Sequence, residues 1–179
     1  FVPEEAIIRA YTRFDNEKIP GRFRVVKPDN FLQEVSYKPA DYSNYERVKI
    51  IGDIHGCMEP MEKIIFDKDI LYIFTGDYLD RGVQNAEVLS FLFTIMNESN
   101  TVFLEGNHEK HLWDWANGNE IKSKEFAFNT AYQLEEAGID KSKAREFYRK
   151  LGQVSYFRYN GLTFFVSHIV VRVGSLLNS

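Results

Sequence analysis

The feature that most constrains this chain is a run of β-branched and aromatic residues that ends in a polar loop and that occurs four times. Short apolar runs of this composition, bounded by turn residues, are typical of buried β-strands. The sequence therefore predicts strands at residues 48–51, 70–75, 101–104 and 163–166.

The segments between these strands are predicted to form helices. In residues 85–96, Val88, Leu92 and Ile95 share one helical face, and Phe91 and Phe93 widen that face, so this helix should be buried. The predicted helices are residues 58–66, 85–96, 124–136 and 141–151. The alternation of strand and helix indicates an α/β fold with helices packed on a central sheet.

Side chains that can do chemistry are concentrated in the loops after the strands. The loop sequences are GDIHG at 52–56, GDYLDRG at 76–82, GNHE at 106–109 and SH at 167–168. In an open α/β sheet, ligands bind outside the carboxyl ends of the strands, so these loops are expected at one edge. Their glycines let the backbone turn sharply and approach a phosphate closely.

Five of these loop residues form a candidate set of metal ligands: Asp53, His55, Asp77, Asn107 and His168. Carboxylate, imidazole and amide ligands without a thiolate suit manganese, iron, zinc or nickel better than calcium or a structural zinc. Two cations about 3.5–4 Å apart need a bridging ligand. Asp77, at the centre of the set, is placed to be that ligand.

The patterns GDxHG, GDxxDRG and GNHE, in this order and each directly after a strand, resemble those of the calcineurin-like metallophosphoesterases. Within that family they are similar to the branch that holds the serine/threonine phosphoprotein phosphatases. The resemblance covers residues 47–168. It implies a β-sheet sandwich flanked by helices and a site for two divalent metal ions, with manganese preferred and nickel, iron or zinc as alternatives.

The resemblance also implies which residues hold the metals. Asp53, His55 and Asp77 would bind the first ion. Asp77, Asn107 and His168 would bind the second, and Asn107 would also contact the substrate.

Three further residues take catalytic roles by the same resemblance. Arg81 would clamp the phosphate, a task suited to its planar, forked donors. His108 would be the general acid that protonates the leaving oxygen. Asp80 would orient His108 and keep its imidazole charged.

The function implied is metal-dependent hydrolysis of a phosphorylated substrate, a phosphate monoester. Residues 1–14 resemble the end of a small P-loop nucleotide kinase, and a kinase joined to such a phosphatase is similar to the polynucleotide kinase-phosphatases. We therefore predict an upstream kinase domain and RNA or DNA ends as substrates. The alternatives are a phosphoprotein (Ser/Thr) phosphatase, a dinucleoside-polyphosphate phosphatase, and a catalytically weak binding module.

The sequence divides into an N-terminal helical arm or linker at 1–46, a metallophosphoesterase core at 47–168, and a tail at 169–179 that is unlike the family. Carboxylates after Pro3 predict a helix start in the arm. Family members carry a further histidine ligand beyond the strand-end histidine, whereas no histidine follows His168. We therefore expect a C-terminally incomplete core whose sheet has an exposed edge.

Composition and net charge bear on what the protein binds and on the compartment in which it works. A net charge of -4 argues against a chain that holds nucleic acid mainly by counterion release. The chain has no apolar run of about 18 residues that would span a membrane. Its single cysteine excludes an intramolecular disulfide and favours a cytoplasmic protein.

Other conspicuous residues are interpreted as structural. Cys57 is predicted to be a small buried packing residue. His111 is predicted to lie at the surface or behind the ligands rather than to bind metal. Trp113 and Trp115 are predicted to pack rather than to stack on bases, and the basic residues of 141–150 to form a solvated helix face.

Overall fold

Two β-sheets, one parallel and one mixed, form a sandwich that is flanked by helices. The computed structural model describes residues 39–64, 66–169 and 171–175, which all belong to one compact unit, Lys38–Ser179. The predicted fold class is confirmed. Most of the predicted arm, including its helix start, lies outside the described residues.

The parallel sheet positions most of the polar loops. It consists of β2 (Arg47–Ile51), β3 (Ile70–Phe74) and β4 (Thr101–Phe103), in the order β2-β3-β4. The central strand, β3, is almost completely buried, as its continuous apolar run requires. Ile51 pairs with Phe74, and Phe74 pairs with Phe103, so the three strands end at the same level.

The mixed sheet has the order β1-β5-β6-β7. Strand β1 (Ala40–Asp41) is parallel to β5 (Val154–Tyr159), whereas β6 (Leu162–Ser167) is antiparallel to both β5 and β7 (Val171–Ser175). Strand β7 lies within residues 169–179, for which no strand is predicted. Strand β7 pairs along β6 and is the last strand on that side of the sheet, so an incomplete core with an exposed sheet edge stays a prediction.

A small apolar core joins the two sheets. Leu71 and Ile73 of β3 pack with Phe157 of β5 and Val166 of β6. All four side chains are at most 1% exposed. Face-to-face packing of this kind aligns the ends of the two sheets, so the loop after β6 reaches the edge where the parallel strands end.

Helices cover the opposite face of the parallel sheet. Because successive strand residues point to opposite faces, Tyr72 and Phe74 of β3 enter a second, larger core with Leu89, Leu92 and Phe147. The helical elements are α1 (Met58–Glu62), α2 (Asn85–Ile95), α3 (Glu109–Asn117), a π-helical turn (Phe126–Thr130), α4 (Ala131–Glu136) and α5 (Lys141–Arg149).

The predicted strands and helices are all present, with differences at their boundaries. Helix α1 ends at Glu62 instead of residue 66, and the helix predicted at 124–136 contains the π-helical turn before α4. Helix α3 and strands β1, β5 and β7 are additional. In the part of the chain that the structure describes, no helix is long and apolar enough to cross a membrane.

Candidate metal centre

The strand ends bring the five predicted metal ligands to one edge of the sandwich. Asp53 and His55 follow β2, Asp77 follows β3, Asn107 follows β4, and His168 follows β6. The shared level at which the parallel strands end places these loops side by side. We refer to these five residues as the metal centre.

Asp77 lies in the middle of the metal centre. Its Oδ2 atom is 3.7 Å from His55 Nε2 and 3.5 Å from His168 Nε2. Ligand atoms of Asp53, His55 and Asp77 all lie within 4.8 Å of one another. A carboxylate oxygen between two imidazole nitrogens from different loops has the position that a bridging ligand needs.

The two imidazoles present the nitrogen that a metal requires. His55 Nδ1 donates to the carbonyl of Leu79 (3.1 Å), and His168 Nδ1 donates to the carbonyl of Thr75 (3.0 Å). Since a carbonyl can only accept, each ring keeps its Nε2 lone pair free to act as a ligand. His168 Nε2 also lies 3.2 Å from Asn107 Oδ1, so the side chains of these two residues of the metal centre are in contact.

The chemistry of these atoms fits a bound cation. His55 Nε2 is buried, and none of the described residues gives it a hydrogen bond. Buried polar atoms are nearly always paired, so this nitrogen lacks the partner that a metal ion would supply. The carboxylate oxygens of Asp53 and Asp77 lie beside it, and oxygen and nitrogen donors of this kind suit a divalent cation.

Unusual backbone conformations are concentrated at this edge. His55, Asp77, Asp80 and Arg81 are four of the five non-glycine residues that have a positive φ in the described ranges. Such conformations cost energy in residues with a Cβ atom and are typical of functional sites. Gly106 is required for a different reason, because a Cβ atom there would overlap the Asp77 backbone and carboxylate.

Glu109, the last residue of the GNHE loop, supports the metal centre from behind. Its buried carboxylate accepts hydrogen bonds from the backbone N–H groups of Asp77 (2.9 Å), Tyr78 (2.9 Å) and Gly106 (2.6 Å). Burial raises the pKa of Glu109, and the three N–H donors oppose that effect. The sequence shows this residue within a motif but gives no sign of its role.

Asp80 and His108, the predicted general-acid pair, are in direct contact. His108 Nδ1 lies 2.6 Å from Asp80 Oδ2, and Asp80 is fully buried. His108 Nε2 lies 3.9 Å from Asp77 Oδ2, so it faces the metal centre. The geometry thus leaves one ring nitrogen available on the side where a substrate would lie.

Arg81 is exposed at the rim of the same edge. Its backbone N–H donates to Glu125 Oε1 (3.2 Å), and that oxygen also accepts from Asn129 Nδ2 (3.0 Å). The segment that leads into α4 thereby holds the backbone of the Arg81 loop, while the side chain lies in solvent.

A cleft of about 400 Å³ opens beside Asn107 and His168. Lys110, near the start of α3, lines this cleft together with Gln153 and Glu105. Glu105 accepts hydrogen bonds from Gln153 Nε2 and from the Tyr148 hydroxyl, two neutral donors that fix its carboxylate.

Some of the structural interpretations hold, and one is wrong. Trp115 is buried in the larger core, and Trp113 stacks near Tyr148 with ring centroids 4.9 Å apart, so both tryptophans pack as predicted. Lys141 is exposed. Cys57 is exposed rather than buried, because it stands at the turn just before α1, outside the apolar face of that helix.

The chain belongs to the calcineurin-like phosphoesterase family, whose family model matches residues 46–172. This match confirms the resemblance and covers every residue of the metal centre. It also includes the residues of the general-acid pair and the first part of β7.

Individual relatives come from two kinds of phosphatase. The chain is 30% identical over 91 residues to the asymmetrical bis(5'-nucleosyl)-tetraphosphatase PrpE of Oceanobacillus iheyensis, covering 44% of this chain and 36% of the relative. It is 46% identical over 67 residues to the serine/threonine-protein phosphatase PP1-delta of Caenorhabditis elegans, covering 34% and 22%. The chain therefore spans less than half the length of these relatives.

Proposed function

We propose that this chain hydrolyses phosphate monoesters with two divalent cations, manganese preferred, held by the metal centre. The observation that carries the proposal is the position of Asp77 Oδ2 between His55 Nε2 and His168 Nε2. Asp53 and Asn107 would complete the two coordination spheres. Cations bound there would supply positive charge to the reacting phosphoryl group and lower the pKa of a bound water.

The remaining residues take complementary tasks. Arg81, exposed at the rim, binds the phosphate oxygens through its forked donors. His108 donates a proton from Nε2 to the leaving oxygen, while Asp80 holds the opposite ring nitrogen. Glu109 keeps the backbone of the Asp77 and Gly106 loops in register, so that the ligands stay aligned.

For the substrate we propose RNA or DNA ends, in a cytoplasmic protein with a kinase domain upstream. The cleft beside Asn107 and His168 supports a substrate that extends beyond the phosphate, and Lys110 adds a positive charge for a further anionic group. A dinucleoside polyphosphate also extends beyond one phosphate and carries further negative charge, and four relatives are named as bis(5'-nucleosyl)-tetraphosphatases. It is therefore the second candidate, ahead of a phosphoprotein.

The test is turnover by the purified chain with and without Mn²⁺, using 4-nitrophenyl phosphate, a 3'-phosphorylated RNA oligonucleotide and a dinucleoside tetraphosphate. We expect hydrolysis that requires the metal and that Asp77→Ala abolishes, together with weaker Mn²⁺ binding in calorimetry. Glu87→Gln, an exposed change on α2, is the control. Equal Mn²⁺ affinity and turnover in the wild type and Asp77→Ala would overturn the proposal, and metal binding without any turnover would favour a binding module.

A further inference from the structure

We propose that Thr130 is a positioning residue for His108, acting through Asp80; this inference rests on the proposed function. Thr130 Oγ1 donates to Asp80 Oδ1 at 2.5 Å. Both residues are completely buried. The contact joins the end of the π-helical turn to the loop after β3.

The two oxygens of Asp80 are divided between two partners. Oδ1 accepts from Thr130 and Oδ2 accepts from His108 Nδ1, which makes a continuous chain from hydroxyl to carboxylate to imidazole. A carboxylate held at one oxygen only can turn about its Cβ–Cγ bond. The hydroxyl prevents that rotation, so Oδ2 stays directed at the ring nitrogen.

The backbone of Asp80 is held by a separate set of contacts. Its N–H donates to Asn85 Oδ1 (2.9 Å), and Asn85 is fixed in turn by Gln133 Oε1, which accepts from the Asn85 backbone (3.0 Å). Loss of the Thr130 hydroxyl therefore leaves the loop anchored. Its specific effect falls on the orientation of the carboxylate and, through it, on His108.

The local geometry at Thr130 is consistent with this role. A threonine within an ordinary helix often returns its hydroxyl to the carbonyl four residues earlier. Here Thr130 is the last residue of the π-helical turn Phe126–Thr130, and its hydroxyl donates to the Asp80 carboxylate instead. Such turns are rare and frequently occur at functional sites.

The kinetic test compares Thr130→Val with Thr130→Ser on a good and a poor leaving group. Thr130→Val removes the hydroxyl and should lower kcat on an alkyl phosphate by roughly tenfold or more, the equivalent of one hydrogen bond to a charged group. It should change kcat on 4-nitrophenyl phosphate much less and leave KM unchanged on both. Thr130→Ser, which keeps the hydroxyl, should retain the wild-type values.

Thr163→Val is the matched control, since its buried hydroxyl has no hydrogen-bond partner among the described residues. If Thr130→Val does not fold, Thr130→Cys offers a weak donor of similar size and allows the same comparison. Equal losses on both substrates, with a raised KM, would overturn the inference, because they would indicate a displaced loop.

An NMR measurement on the metal-free protein separates this inference from the proposed function. The His108 Nδ1–H proton should be shielded from exchange with water in the wild type, Thr130→Ser and Thr163→Val, and should exchange faster in Thr130→Val. An inactive wild type would count against the proposed function alone. An unchanged His108 signal in Thr130→Val would overturn the positioning role whether or not the enzyme turns over.

Discussion

At the scale of single residues, three histidines are oriented in the same way, each by a hydrogen bond at one ring nitrogen. His55, His108 and His168 each commit Nδ1 to an anchor, which is a backbone carbonyl in two cases and Asp80 in the third. In all three rings Nε2 then faces Asp77 Oδ2, at 3.5–3.9 Å. Under the proposed function, the ring anchored by the Asp80 carboxylate would donate a proton, whereas the two rings anchored by carbonyls would bind metal.

His108→Ala and Arg81→Ala should have different kinetic consequences. Loss of a general acid should lower kcat by about 10²–10⁴-fold on an alkyl phosphate and much less on 4-nitrophenyl phosphate, whose leaving group needs no proton. Loss of Arg81 should raise KM and lower kcat, since the clamp contacts both substrate and transition state. Steady-state kinetics on the two substrates measures both effects.

His111→Ala is the control for this comparison, because His111 lies in α3 shortly after His108, with its ring 6.4 Å from that of His108. It should keep the wild-type dependence on the leaving group. If His108→Ala loses activity equally on both esters while its metal content is unchanged, His108 is a binding or structural residue rather than an acid.

At the scale of elements, helix α3 is tied to the parallel sheet by its first residue. The Glu109 carboxylate accepts from the backbone of two loops that follow different strands, so it holds the Asp77 loop and the Gly106 loop to the start of the helix. A buried, ionised carboxylate lowers the stability of the protein unless its oxygens accept hydrogen bonds. The pH dependence of folding should therefore report on Glu109.

Comparison with Glu109→Gln should show how much the buried carboxylate lowers the stability of the protein when it is ionised. Because burial raises the pKa of Glu109 in the native state, that state binds more protons than the unfolded chain at pH values above the usual 4.5. The stability of the wild type relative to Glu109→Gln should then decrease as the pH rises through this window. Urea unfolding of the metal-free proteins across a pH series measures it.

Glu87→Gln, at an exposed site on α2, should show no such trend. A wild-type advantage that grows with pH would mean that the three N–H donors outweigh burial and that the pKa of Glu109 is lowered.

The sequence predicted the elements whose pattern is local and strong. Strand β3 is a continuous apolar run. The polar loops after β2, β3, β4 and β6 mark the ends of these strands, where the residues of the metal centre lie. Helix α3 was not predicted, because its sequence EKHLWDWAN has few apolar residues beyond the two tryptophans. Strand β5 was not predicted either. It starts only a few residues after α5, and its sequence VSYFRY has no continuous apolar run.

The supporting contacts of the metal centre could not be predicted in the same way. Thr130 lies fifty residues from Asp80 along the chain, and neither its neighbours nor its spacing marks it. Glu109 looks like an ordinary acidic residue in the first turn of a helix, where carboxylates are common. Only the three-dimensional packing shows that both residues are buried, Glu109 beside Asp77 and Thr130 beside Asp80.

At the scale of the whole molecule, the two sheets depend on a small shared core. Phe157 is 1% exposed and stacks on Phe164 with ring centroids 5.1 Å apart, next to Leu71 and Ile73 of β3. Because β6 carries His168 to the metal centre, the same core that holds the sheets together also fixes one ligand against the others.

Phe157→Ala should lower the free energy of unfolding by about 3–5 kcal/mol, the cost of a large cavity in a packed core. Phe128→Ala, which removes a side chain that is 82% exposed, should change it by less than about 0.5 kcal/mol. Urea denaturation followed by circular dichroism compares the two. Similar losses in both variants would show that the core between the sheets is less important than its burial indicates.

The wide separation of the proposed ligands along the chain, from Asp53 to His168, would have a consequence for how much of the protein stays folded in a cell. No short stretch contains the whole set, so cations that need it can bind only the native state. Binding of that kind raises the free energy of unfolding in proportion to the logarithm of the free metal concentration. The amount of folded protein, and its resistance to proteolysis, would then follow the supply of divalent metal.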